Sequence, residues 1–496
     1  MSTALSELAD LVGVTVQGDA ATELVAVSLA SDRVRPGSLF AALPGAKAHG
    51  IRFLPQALAA GAVAVLTDPE GAAQVTDQAL PVCVVADPRA VLDEVAARVH
   101  GRPADDLAVI GITGTNGKTT TAYLVEAGLA AAGRTSGLIG TVQIRTRGTG
   151  PDGEPVLTEL SSVRTTPEAP DLHALLAGMR DAGVSAVVME VSSHALVLGR
   201  VGGVRFAAAG FTNFSRDHLD FHGDEESYFA AKAMLFDGRA AVEVVDVDDA
   251  HARRLVHPGT VTVSGRGSEA HWRATDVTTT EDGGSAFTLH TPSGGRHAAR
   301  LRLPGGFNVA NAVLAVALLD AVGVPVADAL TGIAGTVVPG RMEPVDADQP
   351  FVAVVDYAHT PDAVATALAA LRGSTPGRLI TVLGCGGDRD PGKRPAMGAA
   401  AAAGSDLLVV TDDNPRSEDP ATIRAAMLAG VPADTACEVR EVGDRRAAIE
   451  AAVGAARAGD TLLLAGKGHE SGQEVAGVVS AFDDRLELRR ALGARA

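Results

Sequence analysis

"GITGTNGKTTTAYLVEAGL", residues 111–129, has the composition of a phosphate-binding loop followed by a helix, but its spacing departs from the common pattern. The common loop places its first glycine at a position that Ile112 occupies here. What remains is the shorter core "GTNGKT". In this core the glycines let backbone N–H groups approach a phosphate, Lys118 neutralises its charge, and Thr119 offers a hydroxyl to Mg²⁺.

The residues around this loop follow the order strand, loop, helix. "LAVIGITG" is a β-rich apolar run that leads into the glycines, and "TTTAYLVEAGLAAAG" is an amphipathic helical segment that follows them. The first N–H groups of a helix lack partners within the helix, so this end attracts anions. The segment therefore predicts a nucleotide site at the start of an α/β domain.

Length and composition predict a globular protein of several domains. A chain of 496 residues is too long for one core, and domains of roughly 100 to 200 residues would give about three. Apolar residues make up 46% and charged residues 21%, which is typical of globular proteins. The net charge of -18, with a pI near 5.1, disfavours nucleic acid and anionic membranes as partners. An anionic substrate would therefore need local cationic pockets.

Cysteine usage and the first residues indicate the cytoplasm. Cys83, Cys385 and Cys437 lie far apart and form no close pair typical of zinc or redox sites. The first residues carry Glu7 and Asp10 without a basic flank, and no apolar run approaches the roughly 18 residues needed to span a bilayer. We expect a cytoplasmic protein that is neither exported nor inserted in a membrane.

Alternating strands and helices divide the chain into three α/β units, residues 1–103, 104–338 and 339–496. The second unit contains the phosphate loop and a long helix in "GGFNVANAVLAVALLDAVG". In the third, the strand candidates "FVAVVDY", "RLITVLGC", "DLLVVTDD" and "TLLLAG" are separated by alanine-rich helices, which predicts a doubly wound, mostly parallel sheet. Such sheets bind ligands at the carboxyl ends of their strands, where the polar clusters of this sequence lie.

Two clusters in the second unit supply what a metal-bound nucleotide still lacks. "VVMEVSSHAL" places Glu190 at a strand end, and "FTNFSRDHLDFHGDEESYFAAKAMLF" contains His218 and Lys232. Because Mg²⁺ prefers oxygen ligands, Glu190 is the better-founded ligand and His218 the less expected one.

Two other chemistries are disfavoured. Ser192, Ser193 and His194 are adjacent in "SSHA", but neighbours on a strand point to opposite faces, so they do not form a hydrolase triad. "GCGGDRD" follows a strand and mimics a dinucleotide-binding loop, but Arg389 stands where the last glycine should be. We expect Arg389 to face a ligand instead.

A series of motifs in fixed order resembles the Mur ligases. In chain order the motifs are "GITGTNGKTTT", "RTTPEA", "MEVSSHAL", "FTNFSRDHLDFHG", "YFAAKAMLF", "LPGGFNVANAVLA", "GRMEPV", "DYAHTPDA", "GCGGDRDPGKRP", "DNPR" and "GKGHE". They cover nearly the whole chain and most resemble the branch that adds the third residue of the peptidoglycan stem peptide. The "GTNGKT" loop resembles the variant that this family shares with folylpolyglutamate synthetases, which activates a carboxylate with ATP. That resemblance accounts for the unusual spacing.

The resemblance implies ATP-driven formation of an amide bond. The γ-carboxylate of D-glutamate on UDP-N-acetylmuramoyl-L-Ala-D-Glu (UDP-MurNAc-L-Ala-D-Glu) would attack the γ-phosphate of ATP and release ADP. An incoming amine would then attack the carbonyl carbon of the resulting acyl phosphate and release phosphate. Such a reaction needs cations, metals and positioning rather than a nucleophilic side chain. The catalytic residues implied by the resemblance are Lys118, Glu190, His218 and Lys232.

The resemblance also implies which residues bind ATP and Mg²⁺. The ATP-binding residues would be Gly114, Thr115, Asn116, Gly117, Lys118, Thr119, Thr120, Asn308, Arg341 and Asp356. The metal ligands would be Thr119, Glu190, His218 and Lys232, the last as the carbamate N6-carboxylysine. Carbamylation is chemically sensible because CO₂ converts an amine into an anionic oxygen donor, whereas a cationic lysine would be repelled by the metal.

For the UDP-sugar-peptide, the resemblance points to hydroxyl groups and one arginine. The implied residues are Leu29 and Ser31 in the first unit, with Thr165, Thr166, Ser192 and Arg200 in the second. Hydroxyls and arginine suit a diphosphate and a carboxylate. The sequence departs from the family at Arg164, where many relatives have asparagine, and at Leu198, where some have glutamine.

The third unit would select the amino acid. The implied residues are Arg389, Asp413, Asn414, Pro415, Arg416, Gly466 and Glu470. Together they offer a fork for a carboxylate beside acceptors for an ammonium, a receptor for an amino-acid head. Meso-diaminopimelate has such a head at its far end, whereas lysine would leave Arg416 unpaired at a cost of about 1 to 3 kcal/mol. We therefore expect diaminopimelate, with lysine as the main competitor.

Two further alternatives remain open at the level of sequence. A folylpolyglutamate synthetase would share the loop and central fold, although the "DNPR" and "GKGHE" motifs and the separate first unit argue against it. A non-catalytic nucleotide-binding regulator would be favoured by loss of a catalytic residue, and none is lost. We expect a monomer that acts on small molecules and binds neither nucleic acid nor membrane.

Overall fold

The computed structural model describes residues 2–45, 48–150, 153–280 and 283–494. Three large sheets follow one another along the chain, with five, eleven and six strands. Helices pack against each of them, so the expected architecture of three mostly parallel α/β domains is confirmed. Within the described residues, no helix is both long and apolar enough to cross a membrane.

The first domain has a five-stranded sheet covered on both faces and a separate two-stranded sheet formed by its first and third strands. Its strands are β1 (Thr3–Ala4), β2 (Thr15–Gln17), β3 (Glu23–Leu24), β4 (Ala26–Ser28), β5 (Ser38–Ala41), β6 (Ala62–Thr67) and β7 (Val82–Val84), and its helices are α1 (Leu5–Val12), α2 (Leu54–Ala59), α3 (Pro69–Ala72) and α4 (Pro88–Val99). The sheet order is β2-β7-β6-β5-β4. Side chains alternate along β5, so Leu39 packs with α1 and α4 while Phe40 packs with α2.

The central domain is an eleven-stranded sheet. Its strands are β8 (Ala108–Thr113), β9 (Ser136–Ile139), β10 (Gln143–Thr149), β11 (Pro155–Ser161), β12 (Ala186–Glu190), β13 (Phe206–Phe211), β14 (Ala240–Asp246), β15 (Val261–Ser264), β16 (Trp272–Thr279), β17 (Ser285–His290) and β18 (Arg296–Leu301). Its helices are α5 (Lys118–Ala131), α6 (Ala169–Asp181), α7 (Ser193–Val197), α8 (Leu219–His222), α9 (Glu225–Ala233), α10 (Gly306–Ala321) and α11 (Val326–Ala334).

The phosphate loop lies in the middle of this sheet. The order is β11-β10-β9-β12-β8-β13-β14-β15-β16-β17-β18, and β8 is paired in parallel with β12 and β13. Ile110 and Ile112 of β8 face the core beneath α5 and α10, while Val109 faces the core beneath α6. Burial on both faces explains why β8 reads as a continuous apolar run rather than an alternating one.

The third domain has the doubly wound sheet that its sequence predicts. Its strands are β19 (Glu343–Pro344), β20 (Val352–Asp356), β21 (Leu379–Leu383), β22 (Leu407–Val410), β23 (Glu438–Glu441), β24 (Thr461–Ala465), β25 (Gly472–Val475) and β26 (Val478–Ala481), and its helices are α12 (Pro361–Arg372), α13 (Lys393–Gly404), α14 (Pro420–Leu428), α15 (Arg445–Ala455) and α16 (Asp484–Gly493). The order is β19-β20-β24-β21-β22-β23, with all pairs but β19–β20 parallel. Helices α12, α13 and α14 cover one face, and α15 and α16 the other.

A buried ion pair fixes two helix starts to this sheet. The side chains of Arg445 and Asp484 are fully buried, with Nε to Oδ1 at 2.8 Å and Nη2 to Oδ2 at 2.6 Å. The same guanidinium donates to the carbonyl of Ala465 at 3.0 Å and to that of Asp412 at 3.4 Å. Since α15 begins at Arg445 and α16 at Asp484, the pair holds both helices against the ends of β22 and β24.

Arg445→Met is expected to lower the free energy of unfolding of the third domain by about 3 to 5 kcal/mol, because Asp484 would keep a buried charge without its cation. Urea titration followed by circular dichroism measures this change. The matched control is Arg446→Met, since Arg446 pairs with Glu487 but is half exposed, and its loss is expected to cost under about 1 kcal/mol. Equal losses in the two variants would contradict the assigned role of Arg445.

Candidate active site

The phosphate loop joins the end of β8 to the start of α5, and two of its positions require glycine. Gly114 has φ 136° and Gly117 φ 87°, both in the left-handed region. A Cβ on Gly114 would lie 1.9 Å from the hydroxyl of Thr212, and one on Gly117 would lie 2.4 Å from Oδ1 of Asn311. The loop is therefore packed tightly against the segment after β13 and against α10.

Hydrogen bonds connect the phosphate loop to the segment after β13. The N–H of Thr115 donates to the carbonyl of Asn213 at 2.8 Å, and the N–H of Asn116 donates to Oδ1 of Asn213 at 3.0 Å. Helix α5 follows Gly117, which has no side chain to cap the first turn. Its first N–H groups, including that of Thr120, are thus available to an anion.

The half-buried Lys118 and the fully buried Lys232 converge on one carbonyl oxygen of this loop. Lys118 Nζ donates to the carbonyls of Gly114 at 2.8 Å and Thr115 at 2.9 Å, and Lys232 Nζ donates to the same Gly114 oxygen at 2.7 Å. Burial lowers the pKa of both lysines, and Lys118 lowers the pKa of Lys232 further, to well below its ordinary value. The ammonium of Lys232 lies 4.4 Å from the ring centroid of Tyr228.

Glu190 contacts the start of α5 through one carboxylate oxygen and Thr141 through both. Oε2 accepts from the Thr119 hydroxyl at 3.0 Å and from the Thr141 hydroxyl at 3.0 Å, and Oε1 accepts from the Thr141 N–H at 2.8 Å. Thr119 and Glu190 thus bring two hard oxygen donors together beside a phosphate loop, the donor type that Mg²⁺ prefers. These two residues fit a magnesium site.

His218 lies near this pair but is held differently. Its backbone has φ 53°, its ring lies edge-on to His194 at 5.0 Å, and Nε2 is 3.5 Å from Asp217. Burial lowers the pKa of His218, although Asp217 opposes that shift. Across the described residues, no group of three or more His, Cys, Asp or Glu side chains is arranged to hold a metal. A cation here would depend on oxygen from Thr119, from a carbamate or from a bound phosphate.

Arg341 reaches this centre from the third domain. Its Nη2 donates to the Thr119 hydroxyl at 3.3 Å, and its guanidinium lies 4.3 Å from the ring centroid of Tyr357. Its Nε is buried without a hydrogen-bond partner among the described residues. A buried donor without a partner is costly, so the position suits an anion that the protein itself does not supply.

The two other residues predicted to bind ATP hydrogen-bond within their own segments. Asp356 accepts from the N–H groups of Met342 and Ala358, both at 2.8 Å. Asn308 donates to the carbonyl of Pro304 at 2.8 Å and accepts from Asn311 at 3.1 Å. In this arrangement they brace the domain connection and the phosphate loop.

A cleft of about 1110 Å³ separates the first domain from the central one. Leu29 and Ser31 line it from the first domain, and residues 160–164 with Pro167 and Glu168 line it from the central domain. Ser31 donates to Oε1 of Gln56 at 3.0 Å. The cleft is large enough for a sugar nucleotide, but the central residues predicted to bind that substrate are not part of its lining.

The central-domain residues predicted to bind the UDP-sugar-peptide form one hydrogen-bond network next to Glu190. The Thr166 hydroxyl donates to the carbonyl of Glu190 at 2.9 Å and lies 3.3 Å from the Ser192 hydroxyl, and the Thr165 hydroxyl lies 3.0 Å from that of Thr141. Arg200 Nη1 donates to the carbonyl of Thr166 at 3.3 Å.

Two arginines beside this network form ion pairs with Glu168. Arg200 pairs with its Oε1 at 2.7 Å and Arg164 at 3.0 Å. Arg164, where the sequence departs from the family, therefore lies on the wall of the cleft and shares a carboxylate with Arg200. Burial lowers the pKa of Arg200, and Glu168 opposes that shift.

The third domain brings its predicted residues together above the carboxyl ends of β21, β22 and β24. A Cβ on Gly386 would lie 3.0 Å from Arg416 Nη1 and 3.9 Å from Arg389 Cγ, so two guanidinium side chains flank the same glycine. Arg416 Nη1 donates to the carbonyl of Gly387 at 2.6 Å, and Nε lies 3.6 Å from Glu474. Arg389 is exposed.

The acceptor side of this pocket is formed by the "DNPR" and "GKGHE" loops. Asn414 Nδ2 donates to Glu470 Oε2 at 2.7 Å. A Cβ on Gly466, whose φ is 106°, would lie 2.7 Å from Oδ2 of Asp413, so glycine lets the two loops approach. The carbonyl oxygen of Pro415 also lies close to Gly387, because a Cβ on Gly387 would be only 1.9 Å from it.

Sequence reasoning missed several residues that shape the site. Lys467 is fully buried between the "DNPR" and "GKGHE" loops, although the "GKGHE" motif contained it. Thr141 orients Glu190, and Asn311 and Asn213 support the phosphate loop. The two asparagines lie in the motifs "LPGGFNVANAVLA" and "FTNFSRDHLDFHG". Both motifs contribute to the family resemblance, but no function is predicted for these asparagines from the sequence.

Sequence comparison places the whole chain in one family. Residues 23–100 match the Mur ligase family catalytic domain, residues 112–319 the Mur ligase middle domain, and residues 340–468 the Mur ligase glutamate ligase domain. Together these matches cover most of the described chain and include the phosphate loop and the "DNPR" loop.

Known proteins are similar over nearly their full length. The chain is 53% identical to the UDP-N-acetylmuramoyl-L-alanyl-D-glutamate--2,6-diaminopimelate ligase of Streptomyces coelicolor, over 99% of this chain and 96% of that protein. It is 50% identical to the protein of the same name from Corynebacterium glutamicum, over 92% and 89%. A solved structure of a ligase with that name is 32% identical, has a TM-score of 0.68 and covers 100% of this chain and 99% of its own. The chain belongs to the Mur ligase family.

Proposed function

We propose that this protein joins meso-2,6-diaminopimelate to the D-glutamate γ-carboxylate of UDP-N-acetylmuramoyl-L-alanyl-D-glutamate, at the expense of ATP and through an acyl phosphate. The relatives at 53% and 50% identity are named for this reaction. The observation that carries the proposal is the convergence of three basic side chains on one phosphate loop. Lys118 and Arg341 provide positive charge there, and Lys232 provides an amine that would be carbamylated. Residues 1–103, 104–338 and 339–496 would bind the UDP-sugar, ATP and the amino acid respectively.

The residues at the phosphate loop suit phosphoryl transfer to a carboxylate. Negative charge accumulates on the transferred phosphoryl group and later on the tetrahedral carbon, so preorganised cations and N–H donors lower the barrier. Lys118 and the first N–H groups of α5 would contact the phosphates from the loop side. Arg341 would contact them from the third domain, using the Nε that has no partner in the described protein.

Thr119 and Glu190 are the residues we assign to Mg²⁺, together with a carbamate on Lys232 and with His218 beside it. When bound, the ion would neutralise phosphate charge and orient the oxygens of ATP. Thr141 keeps Glu190 aimed at Thr119 through two hydrogen bonds.

Carbamylation of Lys232 follows from its surroundings as well as from the family resemblance. Its side chain is 1% exposed and faces a carbonyl oxygen and a second ammonium rather than a carboxylate. Attack of the neutral amine on CO₂ forms an N–C bond and releases one proton to solvent, which replaces a repelled cation with an anion. That anion would pair with Lys118 or with a metal.

The amino-acid head would bind across the loops that follow β21, β22 and β24. Arg416 and Arg389 flank Gly386 and offer a fork for a carboxylate, while Glu470 offers an acceptor for an ammonium. Both charges are present on the far end of diaminopimelate. Lysine lacks the carboxylate, so it would leave the guanidinium groups unpaired.

Diaminopimelate is expected to support ATP-dependent release of phosphate with UDP-N-acetylmuramoyl-L-Ala-D-Glu, and lysine to support little. Arg416→Met should lower kcat/KM for diaminopimelate by about 10- to 100-fold, since a charge-assisted pair is lost. A coupled phosphate assay with each amino acid measures both effects.

Arg440→Met serves as the control for this variant. Arg440 is on β23 of the same sheet and pairs with Glu438 in an exposed ion pair, so no change in kinetics is expected. Phosphate release with lysine but not with diaminopimelate would refute the proposed specificity.

Protein equilibrated with ¹³C-bicarbonate is expected to give a carbamate carbon signal that is absent from Lys232→Met. The variant should lose at least about 100-fold in kcat, because the metal would lose an anionic ligand. The measurements are ¹³C NMR and the phosphate assay. A matching signal in the variant, or full activity without Lys232, would contradict the assignment.

A further inference from the structure

Lys467 is a fully buried lysine whose ammonium is saturated by the protein. Its Nζ donates to Asn414 Oδ1 at 3.2 Å, to Glu470 Oε2 at 3.2 Å and to the carbonyl of Gly472 at 2.7 Å. An ammonium has three N–H donors, so none remains for a ligand. Lys467 therefore acts on other residues rather than on a substrate.

The three acceptors belong to two different segments, the loop after β22 and the stretch after β24 that contains Lys467 itself. Asn414 lies in the loop after β22, Glu470 in the loop after β24, and Gly472 at the start of β25. A charge buried to 0% exposure is costly unless it is paired and hydrogen-bonded, so the ammonium favours the one arrangement that brings all three acceptors to it. The β22 and β24 loops are thereby fixed relative to each other.

The effect on Glu470 is asymmetric. Its Oε2 accepts from Lys467 and also from Asn414 Nδ2 at 2.7 Å. No donor meets its Oε1 within residues 2–45, 48–150, 153–280 and 283–494, and the side chain is 31% exposed. The carboxylate is held through one oxygen and presents the other to the pocket.

We propose that Lys467 is a positioning residue that sets the preference for an amino acid with a second ammonium group. By holding Glu470 Oε2, it fixes Oε1 where the distal ammonium of the amino acid arrives. This inference rests on the proposed diaminopimelate activity and adds to it the residue that makes Glu470 selective. Without the buried ammonium, Glu470 could rotate into solvent, and the pocket would lose its distinction between a zwitterionic head and a bare carboxylate.

The test compares diaminopimelate with 2-aminopimelate, which keeps both carboxylates and one amine but lacks the second ammonium. The wild-type protein should prefer diaminopimelate in kcat/KM. In Lys467→Met this preference should fall by about 10- to 100-fold, because a hydrogen bond to a charged group is lost. The fall should appear in the KM for diaminopimelate, with kcat and the KM values for ATP and the sugar nucleotide changed by less than about threefold.

A double-variant cycle separates positioning from general damage. Glu470→Gln alone should lower the preference, and adding Lys467→Met to it should lower the preference no further, since Lys467 acts through Glu470. The matched control is Arg378→Met, which removes a pair with Asp460 at the opposite end of β21 and β24. That control should leave the preference unchanged.

Three results would overturn the inference: an unchanged preference in Lys467→Met, an equal loss with both amino acids, or additive effects in the double variant. If Lys467→Met lacks a cooperative melting transition, Lys467→Gln replaces it, since glutamine keeps neutral donors, and the preference should again fall. Absence of turnover with diaminopimelate in the wild-type protein would instead refute the proposed function. If the wild-type protein prefers diaminopimelate over 2-aminopimelate and the Lys467 variants keep that preference, only the role of Lys467 would be refuted.

Discussion

Two ammonium groups that share the carbonyl oxygen of Gly114 are the constraint on which the active site depends. Lys118 and Lys232 approach it at 2.8 and 2.7 Å, and neither has a carboxylate as its direct partner there. Burial lowers the pKa of each lysine, and the charge of Lys118 lowers the pKa of Lys232 further, so the cationic form of Lys232 is unfavourable here. One apolar core packs β8 against α5 and a second one packs α9, and these cores hold both lysines beside the same oxygen. The unfavourable charge is relieved when an anion arrives, so the site is organised around groups the protein itself lacks.

The same centre connects the third domain to the chemistry. Arg341 reaches Thr119 and stacks on Tyr357, whose ring lies 5.2 Å from that of His469. A Cβ on Gly340 would lie 2.0 Å from the N–H nitrogen of His469, so the domain connection and the "GKGHE" loop touch through their backbones. His469 precedes Glu470, so one continuous set of contacts joins Thr119 at the phosphate loop to the "GKGHE" loop. Under the proposed function, these contacts would connect the ATP site to the amino-acid site.

The sequence predicted the three α/β domains because apolar runs and helical periodicity are local signals. It also marked Lys118, Glu190, Arg416 and Glu470, since each lies in a short motif at a strand end. It did not reveal how they are held. Lys467 follows β24 and Asn414 follows β22, and β21 lies between these two strands in the sheet. Their contact therefore depends on the sheet order, which no local sequence pattern encodes. Likewise, the sequence marked Asp356 for ATP binding but did not reveal that its carboxylate accepts the N–H groups of Ala358 and of Met342, which precedes it by 14 residues.

Sheet order also explains why selectivity for the amino acid can be rigid. The order β24-β21-β22 places the Arg389 loop between the loops of Glu470 and Arg416. Cationic and anionic sides of the pocket are then separated by the spacing of parallel strands, roughly 5 Å per strand, and cannot vary without disrupting the sheet. Arg389 follows β21 and Glu470 follows the adjacent β24, so under the proposed function a head group with a carboxylate and an ammonium on one carbon would bind between the loops of these two neighbouring strands. Lys467 adds what strand spacing alone cannot supply, because it fixes the rotation of Glu470 as well as its position.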